Sequence, residues 1–315
     1  MMRQRGAALL LAMLTVAMVA TLASAALWRQ WRNIEIQGIE RQRSQSVWVL
    51  EGALDWARLI LREDARTGGA DHLAEPWAVV LRDSRLSTFL AVDGNNAESA
   101  QEAFLSGQIT DSQARMNVSN LIVDGKVAEP DVEAFTRLFE LLGLDPSELT
   151  QIVEQLRRAV VGNPNAADTG EVPLRPRRQE QLHWLGLSAP SARLLAPYIV
   201  VLPTRTPLNL NTASAEVLAA SLPGFDLAQA RTLISAREKA PFRSLADVQK
   251  LLDATVPALD ANRFSIGSRY FEVRGQLRLD GLVFEERSLL LRNGLDVVTL
   301  WRDHGAPAPV APTLR

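Results

Sequence analysis

The residue types that most often carry chemistry are scarce in this chain. There is no cysteine, and three histidines, His72, His183 and His304, stand far apart among 315 residues. Disulfides, thiolate metal sites and cysteine nucleophiles are therefore excluded. No HxxxH or HxxxE spacing offers a histidine metal or acid–base site. No nucleophile–base constellation appears either, so the sequence does not point to an enzyme and implies no cofactor. One loop, GNPNAADTGEVPLRPR at 162–177, carries the oxygen donors Asn163, Asn165, Asp168 and Glu171 that Ca²⁺ binding from a single loop would use. Such residues are also ordinary turn formers, so no metal site is assigned to them.

A second segment has a shape that matters for chemistry. Residues 208–248 read LNLNTASAEVLAASLPGFDLAQARTLISAREKAPFRSLADV. Two short helices flanking Pro223, Gly224 and Asp226 resemble a helix-hairpin-helix unit. Where that unit binds DNA, a second glycine lets backbone N–H groups approach a phosphate. Here Asp226 holds that place, and its carboxylate repels phosphate. The same side chain fits an N-cap, with Gln229 three residues on to complete a capping box. Between 205 and 250 there are six basic and four acidic residues, and the whole chain has a formal net charge of −2. That is too weak a basic face for a duplex, so a packing or protein-contact role is expected, without nucleic acid. Asp111, Asn117 and Asn120 are expected to make turn and cap hydrogen bonds.

The elements that position these segments begin with the N-terminus. MMRQRG is followed by 22 uncharged residues, Ala7 to Trp28, enough at about 1.5 Å per residue to cross a hydrocarbon layer of roughly 30 Å. Arg3 and Arg5 precede the run, Arg29 and Arg32 follow it, and Trp28 and Trp31 suit an interface. Three readings stand: a secretory signal cut after Ala23-Ser24-Ala25, an uncleaved anchor, and a prepilin-like leader ending in Gly6 with cleavage before Ala7. The third is favoured because the helical pattern continues past Ala25. It runs through Trp28, Trp31, Ile34 and Ile39, and resumes at Val47, Leu50, Leu54 and Leu61 on one face. Gly38 and Gly52 each cost such a helix about 1 kcal/mol.

Beyond the helix, TGGA at 67–70 is a stop. Short apolar runs at Trp77–Leu81 and Phe89–Val92 suggest one or two strands. From Pro130 the pattern is helical: Val132, Phe135, Leu138, Phe139 and Leu142 share a face, and Asp145 to Glu148 read as a capping box before Ile152, Leu156 and Val160. Further helices are expected at 179–185, 190–197, 213–221, 227–238 and 245–252. Alternation at Phe271, Val273, Leu277 and Leu279, then Asp280-Gly281 and Asn293-Gly294, predicts a three-stranded antiparallel meander. The fold class is α+β. A leader (1–6), a transmembrane helix (7–28) and a stem helix (29–66) precede a sheet domain (67–111 and 257–303). That domain is interrupted by a helical insertion (112–256) and followed by a disordered tail (304–315).

Taken together, these segments resemble the minor pseudopilin K of the type II secretion system, the general secretion pathway protein K family. RQRG before ALLLAML resembles its processing site. ITDSQARMNVSNL (109–121) resembles its short D…N-L motif, with Ala114 and Ser119 in place of the usual Gly and Asn. LNLNTASAEVL (208–218) resembles the start of its second helical repeat. Most pseudopilins have glutamate at the fifth mature residue, and counting from Ala7 that residue is Leu11, an absence K subunits share. The glutamate pairs inside the membrane with a neighbouring subunit's N-terminal amine; a subunit with no neighbour above it has no use for it. The resemblance implies an inner-membrane, single-pass protein with a periplasmic C-terminal domain. Processing and N-methylation by the prepilin peptidase are implied. So is a tip complex with the I and J minor pseudopilins above the major pseudopilin, with secretin or secreted cargo as further contacts. The acid-rich stretch that accompanies calcium in related K subunits is missing from 160–173, which weakens a calcium expectation here. The rival from another class is a membrane-anchored DNA-binding protein of the competence type.

Overall fold

A computed structural model describes residues 5–86, 103–161, 172–252, 256–279, 281–305 and 308–309. Phe89–Val92, Asp280 and the oxygen-donor loop Asn163–Glu171 lie outside them.

Helix α1, Arg5–Thr67, is continuous through the apolar run and the stem. From Leu9 through Trp31 it is exposed, and it is long and apolar enough to cross a membrane. The upper part buries one face. Leu50, Leu54, Ala57 and Leu61 recur at helical spacing and pack on a sheet. Val47, expected on that face, is 37% exposed and stands outside the packed row.

That sheet is antiparallel throughout, in the order β1 (Leu81–Arg85), β2 (Ala103–Asp111), β9 (Tyr270–Leu279), β10 (Leu282–Asn293), β11 (Asp296–His304). The meander is therefore present, with its turns at Gly281 and Gly294 in the left-handed region. The first apolar run, Trp77–Leu81, forms a turn and loop rather than a strand, with only Leu81 at its end beginning β1. Trp77 sits in a single 3-10 turn, Pro76–Ala78, and plugs the space between helix and sheet, edge-on to Phe271 at 5.3 Å between ring centres. The strand that joins the meander is β2, whose stem-facing row Ala103, Leu105, Gly107 and Ile109 is broken by a glycine. Gly107 opposes Gly275 across the β2–β9 ladder. A Cβ on Gly275 would stand 3.1 Å from Leu50 Cδ2, a tight contact that the bare glycine spares as α1 approaches.

The chain between β2 and β9 builds a second core, from Met116 to Phe264. It contains short strands β3 (Met116–Asn117), β4 (Ile122–Val123) and β5 (Lys126–Val127), then α2 (Glu129–Leu141), α3 (Pro146–Val161), a 3-10 helix Gln179–Leu185, α4 (Ala189–Leu195), β6 (Ile199–Val200), β7 (Leu208–Asn209), α5 (Ala215–Ser221), α6 (Leu227–Lys239), α7 (Leu245–Gln249) and β8 (Phe264–Ser265). This core extends past 256 because β8 pairs in parallel with β7. The expected capping box at Asp145 forms only in half. Asp145 Oδ1 accepts from Ser147 N–H, but Glu148 turns away to accept from Ser188 N–H and the Ser191 hydroxyl, tying α3 to α4. In the tail, Ala308–Pro309 (β12) pair with Leu282–Val283 of β10, a strand where disorder was expected.

Candidate functional site

The most elaborate polar site lies where the stem helix, the sheet and the helical insertion meet. It starts from the end of β2. Asp111 is buried, and its carboxylate accepts four hydrogen bonds. Gln113 N–H reaches Oδ1 at 2.7 Å; the Thr212 and Ser268 hydroxyls and Asn209 Nδ2 reach Oδ2 at 2.6, 2.6 and 3.0 Å. Burial pushes this carboxyl up from its ordinary range, against the hydroxyls and the Gln113 amide that favour its charge. Asn209 also donates to the Asp71 carbonyl and to Ser268 Oγ. Asp71, in the turn after the stem, accepts from Ser268 N–H at 2.6 Å.

Arg292, near the end of β10, links this knot to the stem. It donates to Asp64 Oδ2 on α1 and to Asp71 Oδ1, both at 2.5 Å, and to the Ser268 carbonyl, while its guanidinium lies 4.7 Å from the Phe271 ring centre. Burial, then the neighbouring Glu75, raise the Asp64 carboxyl; burial likewise raises Asp71, against Arg292. Asp64, Asp71 and Glu75 bring carboxylates within 4.8 Å of one another. Their oxygens are already engaged: Arg292 holds the aspartates, and Glu75 accepts from Trp77 Nε1 and His72 N–H. The arrangement is an ion-pair clamp.

A second clamp grips α1 lower down. Arg302 of β11 pairs with buried Glu286 through two hydrogen bonds, 2.9 and 2.8 Å, and also with Glu51 of α1. His304 and Ser288 complete the shell of Glu286 at 3.0 and 3.2 Å. Glu51 and Asp64 are 13 residues apart, about 20 Å along a helix. Two arginines from adjacent strands thus fix the register and rotation of the stem.

On the opposite face of the sheet sits the insertion. Arg178 pairs with Asp303 at 3.0 Å and Glu180 with Arg287 at 2.5 Å, and both arginines lie beside the Trp301 ring. Val200, Leu202, Tyr270 and Leu289 form the apolar part of the contact. Arg115 and Arg274 both pair with buried Glu272, at 3.0 and 2.7 Å. Burial pushes that carboxyl up, but the two arginines outweigh it and hold it below the usual glutamate range.

The asparagines behave as turn and cap residues, over longer range than expected. Asn117 Oδ1 accepts from both Ser119 and Leu202 N–H, and its amide donates to the Thr204 carbonyl. Asn120 exchanges two bonds with the Thr206 backbone, and Asn211 does the same with Phe242. The 109–121 and 208–218 segments are thus stitched to the sheet and to each other.

The hairpin closes its own anion site. Gly224 has φ 71° and Pro223-Gly224-Phe225 turn between α5 and α6. Asp226 Oδ1 accepts from Gln229 N–H at 2.7 Å and Gln229 Oε1 accepts from Asp226 N–H at 2.9 Å, so the capping box is complete. Two backbone donors at the start of α6 are thus taken, one by the Asp226 carboxylate and one by the Gln229 amide oxygen. Arg237 on α6 turns inward to the Leu210 carbonyl at 2.7 Å, and burial pushes it down to about 10. Both facts count against nucleic-acid binding. Gly6 and Ala7 lie in the first turns of α1, and Leu11 is exposed on it. Sequence reasoning missed Asp71, Ser268, Glu286, Arg292 and Arg302, which are isolated polar residues in strand or turn sequence.

Models of the family described as type II secretion system (T2SS), protein K match residues 114–204 and 208–266. Type II secretion system protein K of Pseudomonas aeruginosa is 28% identical over 297 residues, spanning 88% of this chain and 85% of its own length. That of Klebsiella pneumoniae is 29% identical over 331 residues, spanning 96% and 97%. The crystal structure of the GspK-GspI-GspJ complex from the type 2 secretion system of enterotoxigenic Escherichia coli contains a chain of the same fold. Its TM-score is 0.61 at 16% identity, covering 85% of this chain and 98% of that one.

Proposed function

The chain belongs to the type II secretion system protein K family, and we propose that it works there as a membrane-anchored, non-catalytic minor pseudopilin. The observation that carries this reading is the division of α1. One half is an exposed apolar rod, and the other is clamped to a sheet that bears a large helical insertion. Residues 7–28 would hold the protein in the inner membrane with the sheet and insertion in the periplasm. The prepilin peptidase would cut between Gly6 and Ala7 and methylate Ala7. Leu11 supplies no intramembrane carboxylate, which suits a subunit with nothing above it. Such a subunit would join I- and J-type minor pseudopilins at the tip that initiates or caps the pseudopilus, above the major pseudopilin. The insertion, stacked on the far side of the sheet from the stem, would face the secretin or secreted cargo. Mass spectrometry of the protein purified from membranes tests the route: N-methyl-Ala7 as first residue is expected. A start at Ala26, or an intact Met1, would contradict it.

A further inference from the structure

Two arginines stand on α1 where its apolar run ends, and no carboxylate among the described residues pairs with either. Arg29 and Arg32 are about one helical turn apart. With Ala25, Trp28 and Asn33 they lie on one side of the helix and line an open notch of about 400 Å³. The Arg32 guanidinium lies over the Trp28 ring, 4.0 Å from its centre. It thus reaches back toward residue 28, as side chains on a helix lean toward its N-terminus. Here that direction is the apolar run, so the charge is aimed down at the bilayer rather than up along the stem. The nearest acid in sequence is Glu35, beyond Arg32 on the side away from the run. The first buried residue of α1, Ser46, is 14 residues and about 21 Å further on.

Helix length sets the height of this notch. Ala7 to Trp28 spans about 33 Å, so hydrocarbon of roughly 30 Å ends near Trp28 and the phosphate layer falls in the next turn. Arg29 and Arg32 occupy that turn. Basic residues are favoured on the cytoplasmic side of a spanning helix, yet on the proposed topology these two face the periplasm. Orientation therefore gives no reason for them, and an anion at that height does. A guanidinium fork matches two phosphate oxygens, which an ammonium does not. One of the two forks is held in place by an aromatic ring. We infer that Trp28, Arg29, Arg32 and Asn33 bind the headgroup of an anionic phospholipid in the periplasm-facing leaflet. The arginines take the phosphodiester and the Asn33 amide the polar end of the headgroup. The acyl chains run down past Ala25, whose small side chain leaves them room. Such a lipid fixes the depth of α1 in the bilayer. The inference goes beyond the proposed function and rests on it for the leaflet.

The test uses the full chain purified from membranes in detergent. It is titrated with phosphatidylglycerol, phosphatidylcholine or inorganic phosphate, and bound lipid is read by native mass spectrometry. Phosphatidylglycerol is expected to bind at least about tenfold more tightly than phosphatidylcholine, and inorganic phosphate is expected not to displace it. Arg29→Gln with Arg32→Gln should abolish that preference. Arg29→Lys with Arg32→Lys keeps the charge without the forks and should retain only part of it. Arg41→Gln with Arg43→Gln makes the same charge change higher on the stem and should leave it intact. None of these variants touches a core, so the thermal midpoint should stay unchanged in all three. A phosphatidylglycerol preference that survives in the glutamine pair overturns the site. Equal binding of the two lipids leaves only general anchoring at the interface and overturns it too. Displacement by inorganic phosphate assigns the arginines to a free anion, and capture of an acidic protein without lipid preference assigns them to a protein; either overturns the proposal. N-methyl-Ala7 with no lipid preference overturns this inference alone. A mature start at Ala26 removes the apolar run and overturns both it and the proposed function.

Discussion

Asp111→Asn tests whether the joint between stem, sheet and insertion is held by a charge. The buried carboxylate raises its own pKa, so removing the charge relieves a desolvation cost. If that were all, the substitution would stabilise. The geometry argues the reverse. Oδ2 is surrounded by three donors and Oδ1 by one. An asparagine amide placed at Oδ2 meets Asn209 Nδ2 donor to donor; flipped, it meets Gln113 N–H. One buried donor is orphaned either way, at about 1–3 kcal/mol, and the surviving bonds lose their charge assistance. Offset by the relieved burial, the net cost should be about 2 kcal/mol, or roughly 4–8 °C in thermal midpoint for a domain of this size. The pH dependence has a definite sign. A carboxyl whose folded pKa is raised contributes stability that is lost as pH rises through the folded value and fully present below the ordinary Asp value near 3.8. Asparagine does not titrate, so the gap between the two proteins should widen as pH falls from 7 toward 4. Melts followed by tryptophan fluorescence at several pH values decide it. An equal or higher midpoint for the variant, or a gap that narrows on acidification, refutes the reasoning.

Other expectations follow from the same geometry. Gly275→Val should cost about 1–3 kcal/mol in urea unfolding, because its side chain enters space held by Leu50 and forces α1 off the sheet. Glu286→Gln should cost about 3 kcal/mol, since it leaves Arg302 half-paired at low exposure, and replacing both partners with apolar residues should recover most of that loss in the same assay. Asp226→Ala should lower stability by only about 1 kcal/mol, the value of a lost N-cap. Salt-sensitive retention of duplex DNA by the unsubstituted chain in a gel-shift experiment would refute the reading of the hairpin.

The parts of this fold that were legible in the sequence are those with a strong local period or a turn that only certain residues make. The long helix declared itself through its uncharged run and the spacing of Leu50, Leu54 and Leu61. The meander did so through alternation and its two glycine turns, and Asp226 through the Gln229 three residues on. Trp77–Leu81 was misread because Trp77 mimics a strand yet serves as a plug held by Glu75, and β2 went unseen because Gly107 interrupts its inward row. Glu148 looked like a capping residue because sequence shows only local partners, and its real partners are 40 and 43 residues away. The joint was invisible for the same reason in stronger form. Asp64, Asp71, Asp111, Asn209, Ser268 and Arg292 come from six separate segments, and no local pattern links them.

The distribution of buried charge gives the joint its meaning for assembly. An ion pair taken out of water is a poor source of stability, because desolvation offsets most of the attraction. Its stronger consequence is to penalise every wrong arrangement, since a shifted register leaves Arg292 without a carboxylate or buried Glu286 without its arginine. Both clamps act on α1, at Glu51 and Asp64, and an apolar stripe alone would let that helix slide or rotate at small cost. Fixing rotation also fixes which side of the helix faces away from the sheet. Loss of one clamp should therefore affect partner binding beyond its effect on stability. Glu286→Gln, measured well below its melting temperature, should weaken association with I and J subunits while no residue on the outward side of the helix is changed. If association then follows only the folded fraction, the clamps serve folding alone.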